Sequence, residues 1–461
     1  MSWLARFFNK IRPFFSNFFR LPERAIIAGF VLAICIGAFF LMLPIASRGN
    51  PLSLVDALFT ATSATCVTGL TVVDTGSSLS LFGQIVVLIL IQAGGLGIMT
   101  ISTMFLIAMG KRPSIKDVVA VQDSLAFKAD RSFHFILRNV ALLTAIAEAI
   151  GVIALFFYFL LKAHFPVAKA LYFSIFHSIS AFCNAGFSLF PESFIHFQKS
   201  FFLNIVICLL IITGGIGFIV LAEIKEKKSF SLLSLHSKLV LTTTLILIVC
   251  GTILITAMEW KNTMSYMSFP YKVLAGFFQS VTARTAGFNT LPIKEMANET
   301  LFLLILLMFI GASPGSCGGG IKTSTFATII LMGISRLKGY ESPQIFRRSI
   351  SKETTAKAIS IVMISMLVIS AGLMLLLITE AGGVPYPKSR GIFLELMFET
   401  VSAFGTVGLS TGITPYLTCM GKIILICIML IGRVGPLAIA MAISRQEVKK
   451  YHYAEESIMV G

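Results

Sequence analysis

Charge is scarce in this chain. Only 13% of its 461 residues are Asp, Glu, Lys or Arg, about half the roughly 25% of a soluble domain. That shortage, with 56% hydrophobic residues and a mean hydropathy of +0.90, excludes a water-soluble globular protein. The eight cysteines (Cys35, Cys66, Cys183, Cys208, Cys250, Cys317, Cys419 and Cys427) lack paired spacing. A disulfide framework or metal site is therefore set aside, and buried free thiols acting as small hydrophobes are expected. The histidines 134, 164, 177, 196, 236 and 452 show no ligand spacing either. No polar stretch is long enough to build a second, soluble core. Met1 to Arg24 has no compact apolar core followed by a small-residue cleavage site, so it does not read as a removable signal peptide. Its alternation of Phe with Arg and Lys suits a helix lying in the membrane interface, with a disordered basic tail as the alternative.

Long apolar runs are what the chain has in abundance. They lie near 25–46, 81–108, 139–161, 201–221, 239–258, 301–334, 356–379 and 421–443, each at or near the roughly 20 residues that cross a bilayer. Eight crossings put both termini on one side. In the termini and the loops near 109–138, 222–238 and 335–357, Lys and Arg outnumber acids by more than two to one. The other loops are nearly balanced. This positive-inside pattern assigns the basic loops and both termini to the cytoplasm. It also explains the net charge of +16 by attraction to anionic lipid, so nucleic acid is not expected as a partner.

A short pattern recurs four times between these runs. Its copies are Ala64-Thr65-Cys66-Val67-Thr68-Gly69-Leu70, Phe182-Cys183-Asn184-Ala185-Gly186-Phe187, Ala283-Arg284-Thr285-Ala286-Gly287-Phe288 and Phe404-Gly405-Thr406-Val407-Gly408-Leu409. Each follows a short apolar helix, near 53–64, 169–182, 271–283 and 392–403, too short to cross. Non-helical backbone at membrane depth is tolerated only inside protein or beside a wet cavity. The fold class expected is therefore an all-α membrane protein with four helix–pore loop–helix repeats around one pore. It would have eight spanning helices and four re-entrant half-helices. The carboxyl ends of the half-helices carry partial negative charge and favour a cation. Glycine permits the backbone angles and close approach that aim carbonyls at one axis. The flanking residues Val67, Thr68, Asn184, Ala185, Thr285, Ala286, Thr406 and Val407 are uncharged. Coordination by backbone oxygen suits a weakly hydrated monovalent ion better than Ca²⁺ or Mg²⁺. Glycines in membrane segments also serve helix packing, but four in matching positions argue for a filter.

Two further stretches carry chemistry. Gly311-Ala312-Ser313-Pro314-Gly315-Ser316-Cys317-Gly318-Gly319-Gly320-Ile321-Lys322-Thr323 interrupts the second spanning run of repeat three, because proline and clustered glycines cannot stay helical. Ile431-Gly432-Arg433-Val434-Gly435-Pro436 places a cation at membrane depth, by default a functional candidate. With the four loops, these stretches resemble the Trk/Ktr/HKT superfamily of potassium transporters, most closely the bacterial Ktr-type pore subunit, from about residue 24 to 445.

The resemblance implies potassium uptake across the cytoplasmic membrane, with K⁺ at the filter residues Val67–Gly69, Asn184–Gly186, Thr285–Gly287 and Thr406–Gly408. Gly69, which some plant relatives replace with serine while passing sodium, implies potassium preference. It further implies a gate at Gly311, Pro314, Gly315, Gly318, Gly319 and Gly320, met by Arg433, with Lys322 assisting it or marking the restart of the helix. As partners it implies a homodimer and a cytoplasmic nucleotide-binding ring of the RCK type. No covalent cofactor is expected; Na⁺ is a candidate coupling ion, and a sodium-permeable or Na/K-coupled transporter is the alternative. The organisation expected is a cytoplasmic or interfacial segment 1–24, repeats at 25–110, 111–222, 223–335 and 336–445, and a cytoplasmic tail 446–461.

Other features are weaker. Gly315 to Thr323 looks like a phosphate-binding loop, but Ile321 separates its glycines from Lys322 and no strand precedes it. Glu148, within a span, suggests either a hydrogen-bonded structural group or a proton relay. Arg284 stands where the other loops have small residues and is expected to brace its loop from behind. An intramembrane hydrolase built on Ser316 and His177 is the enzyme alternative, though nothing in the sequence pairs them; no enzyme is expected.

Overall fold

The computed structural model describes residues 22–97, 100, 133–340 and 342–443. The N-terminal segment, most of the first basic loop and the tail from 446 lie outside the described residues. Among the described residues the regular structure is helical apart from a hairpin of two two-residue strands, Gln344–Ile345 with Arg348–Ser349. In chain order the helices are α1 Pro22–Met42, α2 Leu54–Thr65, α3 Leu81–Leu96, α4 Phe133–Leu161, α5 Val167–Phe182, α6 Phe201–Ile216 and α7 Phe218–Lys227. They continue as α8 Leu235–Met258, α9 Phe269–Thr282, α10 Asn298–Phe309, α11 Thr323–Leu337, α12 Lys352–Ala381, α13 Ile392–Gly405, α14 Cys419–Val434 and α15 Pro436–Ile443.

Among the described residues, four helices are long and apolar enough to cross a bilayer unaided, over Arg24–Met42, Arg138–Leu161, Leu235–Met258 and Lys352–Ala381. Each opens a unit and is followed by a short helix (α2, α5, α9, α13) and a second helix (α3, α6, α10, α14). Hydroxyl caps start these second helices: Ser80, Ser200 and Thr418 accept from the N–H groups of Gly83, Leu203 and Gly421, satisfying donors the helix cannot. In the third unit a carboxylate does the job, Glu259 accepting from Ala297 N at 2.9 Å.

The second helices differ from the uninterrupted runs the hydropathy suggests. Only the third was expected to break, yet α3, α6 and α14 end at Gly97, Gly217 and Gly435, with φ of 85°, 102° and 99°. Those angles are outside the right-handed helical region. The chain bends by 97° between α6 and α7. Hydropathy cannot register such a break, because a glycine within an apolar run leaves the average unchanged.

The units close on themselves in chain order. Short helix α5 packs on α3, α9 on α6, α13 on α10, and α2 returns to pack on α14. Lys422 of α14 and Asp56 of α2 form an ion pair at 2.7 Å across that last joint. Phe59, Phe176 and Phe398, each ten residues before its loop glycine, are completely buried, so the short helices form the core. The outer faces of the long helices remain apolar and exposed, as at Leu32, Phe39, Ile153, Leu245 and Leu367, the distribution of helices that meet lipid.

All eight cysteines are free. The expectation that they are buried holds for Cys66, Cys183, Cys208 and Cys317, whereas Cys35, Cys250, Cys419 and Cys427 are exposed. In a lipid-facing protein the outside of a helix is as apolar as its inside, so hydrophobic context does not imply burial.

Candidate functional site

The four glycine loops meet at the centre of the closed ring of units. A methyl group on Gly69 would stand 2.5 Å from Ala185 O, on Gly186 2.7 Å from Ala286 O, and on Gly287 2.5 Å from Val407 O. On Gly408 it would fall on Thr68 O, so the ring closes. Each glycine is left-handed, with φ of 91°, 69°, 79° and 90°. The residue two positions earlier is left-handed as well: Val67 at 58°, Asn184 at 58°, Thr285 at 75° and Thr406 at 50°. Side-chain-bearing residues adopt this conformation at a cost of about 1–2 kcal/mol. Its fourfold repetition marks a backbone path imposed by the site. All twelve residues Val67–Gly69, Asn184–Gly186, Thr285–Gly287 and Thr406–Gly408 are thereby brought together.

Hydroxyls on the short helices hold that path. Ser63 and Ser402, six residues before their glycines, accept from Gly69 N and Gly408 N, both at 3.1 Å. Ser180 occupies the same position in the second unit and donates to Phe187 O at 2.7 Å. The third unit has Val281 there, and the next residue, Thr282, donates to Phe288 O at 2.6 Å. These residues are not among the sequence candidates, although Ser-Ala recurs at the same offset in three copies (Ser63-Ala64, Ser180-Ala181, Ser402-Ala403).

Against one side of this ring lies the segment 311–322. It hangs from a parallel bridge between Ile310 and Ile321, with Gly311 N donating to Ile321 O at 2.8 Å. Gly318 and Gly319 touch the loops directly: side-chain room at Gly318 is taken by Thr285, and Gly319 N donates to Thr406 Oγ1 at 2.9 Å. A left-handed Gly320 (φ 67°) packs on Gly405. The second unit holds the segment's other flank. Ser313 N and Cys317 N donate to Gly215 O and Gly214 O at 3.0 and 3.1 Å, and Phe218 N donates to Gly315 O at 2.9 Å. Pro314 O faces the Gly217 break.

Two cations pin the segment. Lys322, at the N-cap of α11, turns back to donate to Gly318 O at 2.6 Å. Arg433 donates to Cys317 O and to Gly94 O, so a fourth-unit guanidinium ties the third-unit segment to the first-unit helix. Gly94, Gly214 and Gly432 lack side chains for a common reason. A Cβ there would fall on a carbonyl at the carboxyl end of a short helix, at Thr65, Phe182 and Phe404 respectively.

The remaining candidates separate from this centre. Arg284 is buried and reaches Thr244 of α8 with Nη2 at 3.4 Å, so it lies on the outer side of its loop. Glu148 lies beside Gln92 of α3, with its Oε1 buried and without a hydrogen-bond partner. Ser316 donates to Ser313 O at 2.6 Å, while His177 contacts Phe173, Ser188 and Leu189, so the two are not a nucleophile and its base. Ile310 and Ile321 pair through a single bridge, not the strand–loop–helix of a phosphate-binding loop.

This arrangement belongs to a known class. Residues 22–451 match the family model described as "TrkH: Cation transport protein", and the chain belongs to that family. It is thus a multi-pass membrane transporter and not an enzyme. It is 41% identical to Ktr system potassium uptake protein B of Bacillus subtilis over 95% of this chain and 97% of that protein. It is 36% identical to the potassium/sodium uptake protein NtpJ of Enterococcus hirae, over 95% and 97%. The crystal structure of the potassium transporter TrkH from Vibrio parahaemolyticus shares the fold, with a TM-score of 0.72 at 19% identity, covering 91% of this chain and 84% of that one.

Proposed function

We propose that this chain is the pore subunit of a potassium uptake system, passing K⁺ through a filter of backbone carbonyls at Val67–Gly69, Asn184–Gly186, Thr285–Gly287 and Thr406–Gly408. The observation that carries this reading is the closed ring of four left-handed glycines, each preceded by a second left-handed residue. Alternation of hand directs successive carbonyls to one side, which is how carbonyl rings replace an ion's hydration shell. Each second helix joins its continuation (α6 with α7, α10 with α11, α14 with α15) as one broken crossing, giving eight crossings in four repeats near 25–110, 111–222, 223–335 and 336–445. Basic loops and both termini face the cytoplasm of a cell whose inner membrane holds the protein.

The segment 311–320, with Lys322 and Arg433, is the gate on the cytoplasmic side of the filter. The segment blocks sterically. A fixed unit charge about 4 Å from the ion path opposes a cation by about 4 kcal/mol at an effective dielectric of 20. Two protomers, each with its own pore, dock on a cytoplasmic nucleotide-binding ring that moves this gate. The relative from Enterococcus hirae, a potassium/sodium uptake protein, favours a second reading, in which Na⁺ is carried or coupled as well.

The test is rescue of potassium-uptake-deficient cells at low external potassium by this chain with its regulatory partner. Growth that survives serine at all four filter glycines, in protein that reaches the membrane, would refute the filter. Flux measured at varied external sodium separates the two readings.

A further inference from the structure

Behind the ring, the second and fourth units share a device that the first and third lack. Nine residues before the loop glycine stand His177 and Glu399, both completely buried. Each receives the same two groups from the segment after the glycine. In the second unit the hydroxyl of Ser188 lies 3.2 Å from His177 Nε2, and Leu189 N donates to that nitrogen at 3.3 Å. In the fourth, Ser410 Oγ donates to Glu399 Oε1 at 2.5 Å and Thr411 N donates to it at 3.2 Å. The two hydroxyls sit two residues after their glycines and the two N–H groups three. Each serine then accepts from the N–H two residues further on, Phe190 at 2.9 Å and Gly412 at 2.8 Å.

Chemistry fixes the state of His177 and disposes Glu399 to accept. Phe173 O can only accept, so His177 Nδ1, 2.8 Å away, carries the proton and Nε2 is a bare acceptor. Glu399 faces one group that can only donate, Thr411 N, and two hydroxyls, Ser410 and Thr414 (Oγ1 2.8 Å from its second oxygen), that donate to it when it is ionised. Among the described residues the charged side chain that bears on Glu399 is Glu395, a turn earlier, and His177 is surrounded by the rings of Phe159, Phe173, Phe190 and Phe194. Elsewhere the position is idle. Thr60 of the first unit donates to its own helix at Asp56 O. The third unit has Phe278 there, and neighbouring Gln279 is buried without a hydrogen-bond partner.

We infer that His177 and Glu399 are paired positioning residues that fix the outer mouth of the filter in two opposite quadrants, so that ion affinity and selectivity depend on both remaining unprotonated. This rests on the filter reading above. A proton on Nε2 would set two donors face to face at Leu189, and a proton on the carboxyl would remove an acceptor at Ser410 or Thr414. Either change releases the backbone that follows Gly186 or Gly408.

The test is ⁸⁶Rb⁺ and K⁺ uptake by the full chain with its regulatory partner, at external pH from 5 to 8, normalised to protein in the membrane. Glu399→Gln and His177→Phe should each raise KM about tenfold, the scale of a lost buried hydrogen bond to a charged or essential acceptor, and flatten the pH profile. His177→Gln, which keeps an acceptor, and Glu399→Asp should restore KM in part. Thr60→Val, at the idle position, should leave KM unchanged. Wild-type KM, K⁺/Na⁺ preference and pH profile in both Glu399→Gln and His177→Phe would overturn the inference, as would a fall in Vmax alone. Gly408→Ser distinguishes the failures: if it changes selectivity while the brace variants do not, the filter stands and the brace falls.

Discussion

The four loops of the ring and the four breaks beneath it obey different rules. The loops are alike to the level of single torsions: a left-handed residue, then a left-handed glycine two positions on, in every unit. The breaks are not. Three are single glycines, Gly97, Gly217 and Gly435, whereas the third unit inserts the whole segment from Gly311 to Lys322. On the proposed filter reading an ion at the centre would meet all four loops at once, so each would have to present the same backbone. One obstacle below them would then suffice, and the other three units hold that segment through Gly94, Gly214, Gly215 and Arg433.

The sharpest way to break this comparison is to damage one loop. Gly408→Ala would press a methyl onto Thr68 O and demand a left-handed alanine, with at least about 1–2 kcal/mol of backbone strain. Reversal potentials should show K⁺ over Na⁺ preference falling by about tenfold or more, and Gly69→Ser should act in the same direction. Equal preference in wild type and variants would remove the ring from the selectivity argument.

A smaller effect is expected from the obstacle. Shortening 313–318 should raise K⁺ flux several-fold and leave ion preference intact, with Arg433→Ala doing so in part. Lower flux in a folded, inserted deletion variant would mean that the segment is not a barrier.

The three simple breaks can then be ranked against one another. Gly217→Ala would push against Pro314 O, whereas Gly435→Ala meets nothing within 4 Å. Both carry the same left-handed strain, so flux through Gly217→Ala should exceed that through Gly435→Ala if the break anchors the gate. The smallest change should come from Ser402→Ala, which leaves Gly408 N without its acceptor. A lost hydrogen bond of about 1 kcal/mol should lower K⁺ preference by a factor of a few, detectable by competition uptake.

Much of this was legible in the chain. The short helices expected at 53–64, 169–182, 271–283 and 392–403 lie at Leu54–Thr65, Val167–Phe182, Phe269–Thr282 and Ile392–Gly405. Apolar length and a terminal glycine are local properties, and local properties are what a sequence displays. Arg433 and the segment 311–320 stood out for the same reason, one as a charge and the other as helix-breaking residues in apolar surroundings. His177 drew attention only as a histidine without ligand spacing and in the enzyme alternative, and Glu399 is one of the nearly balanced charges of the outer loops, because no residue type announces which distant backbone it will meet.

The sequence by itself determined that four alike units would enter a membrane and that each would offer a glycine loop, since hydropathy and backbone freedom are written residue by residue. Tertiary structure alone decided the order of closure, α2 returning to α14 through Asp56 and Lys422. It also decided that Arg433 would reach both Cys317 and Gly94, and that a histidine and a glutamate 222 positions apart would meet equivalent hydroxyl and N–H groups. Those facts depend on the directions of hydrogen bonds between distant segments, which exist only once the ring has closed and excluded water from the groups that make them.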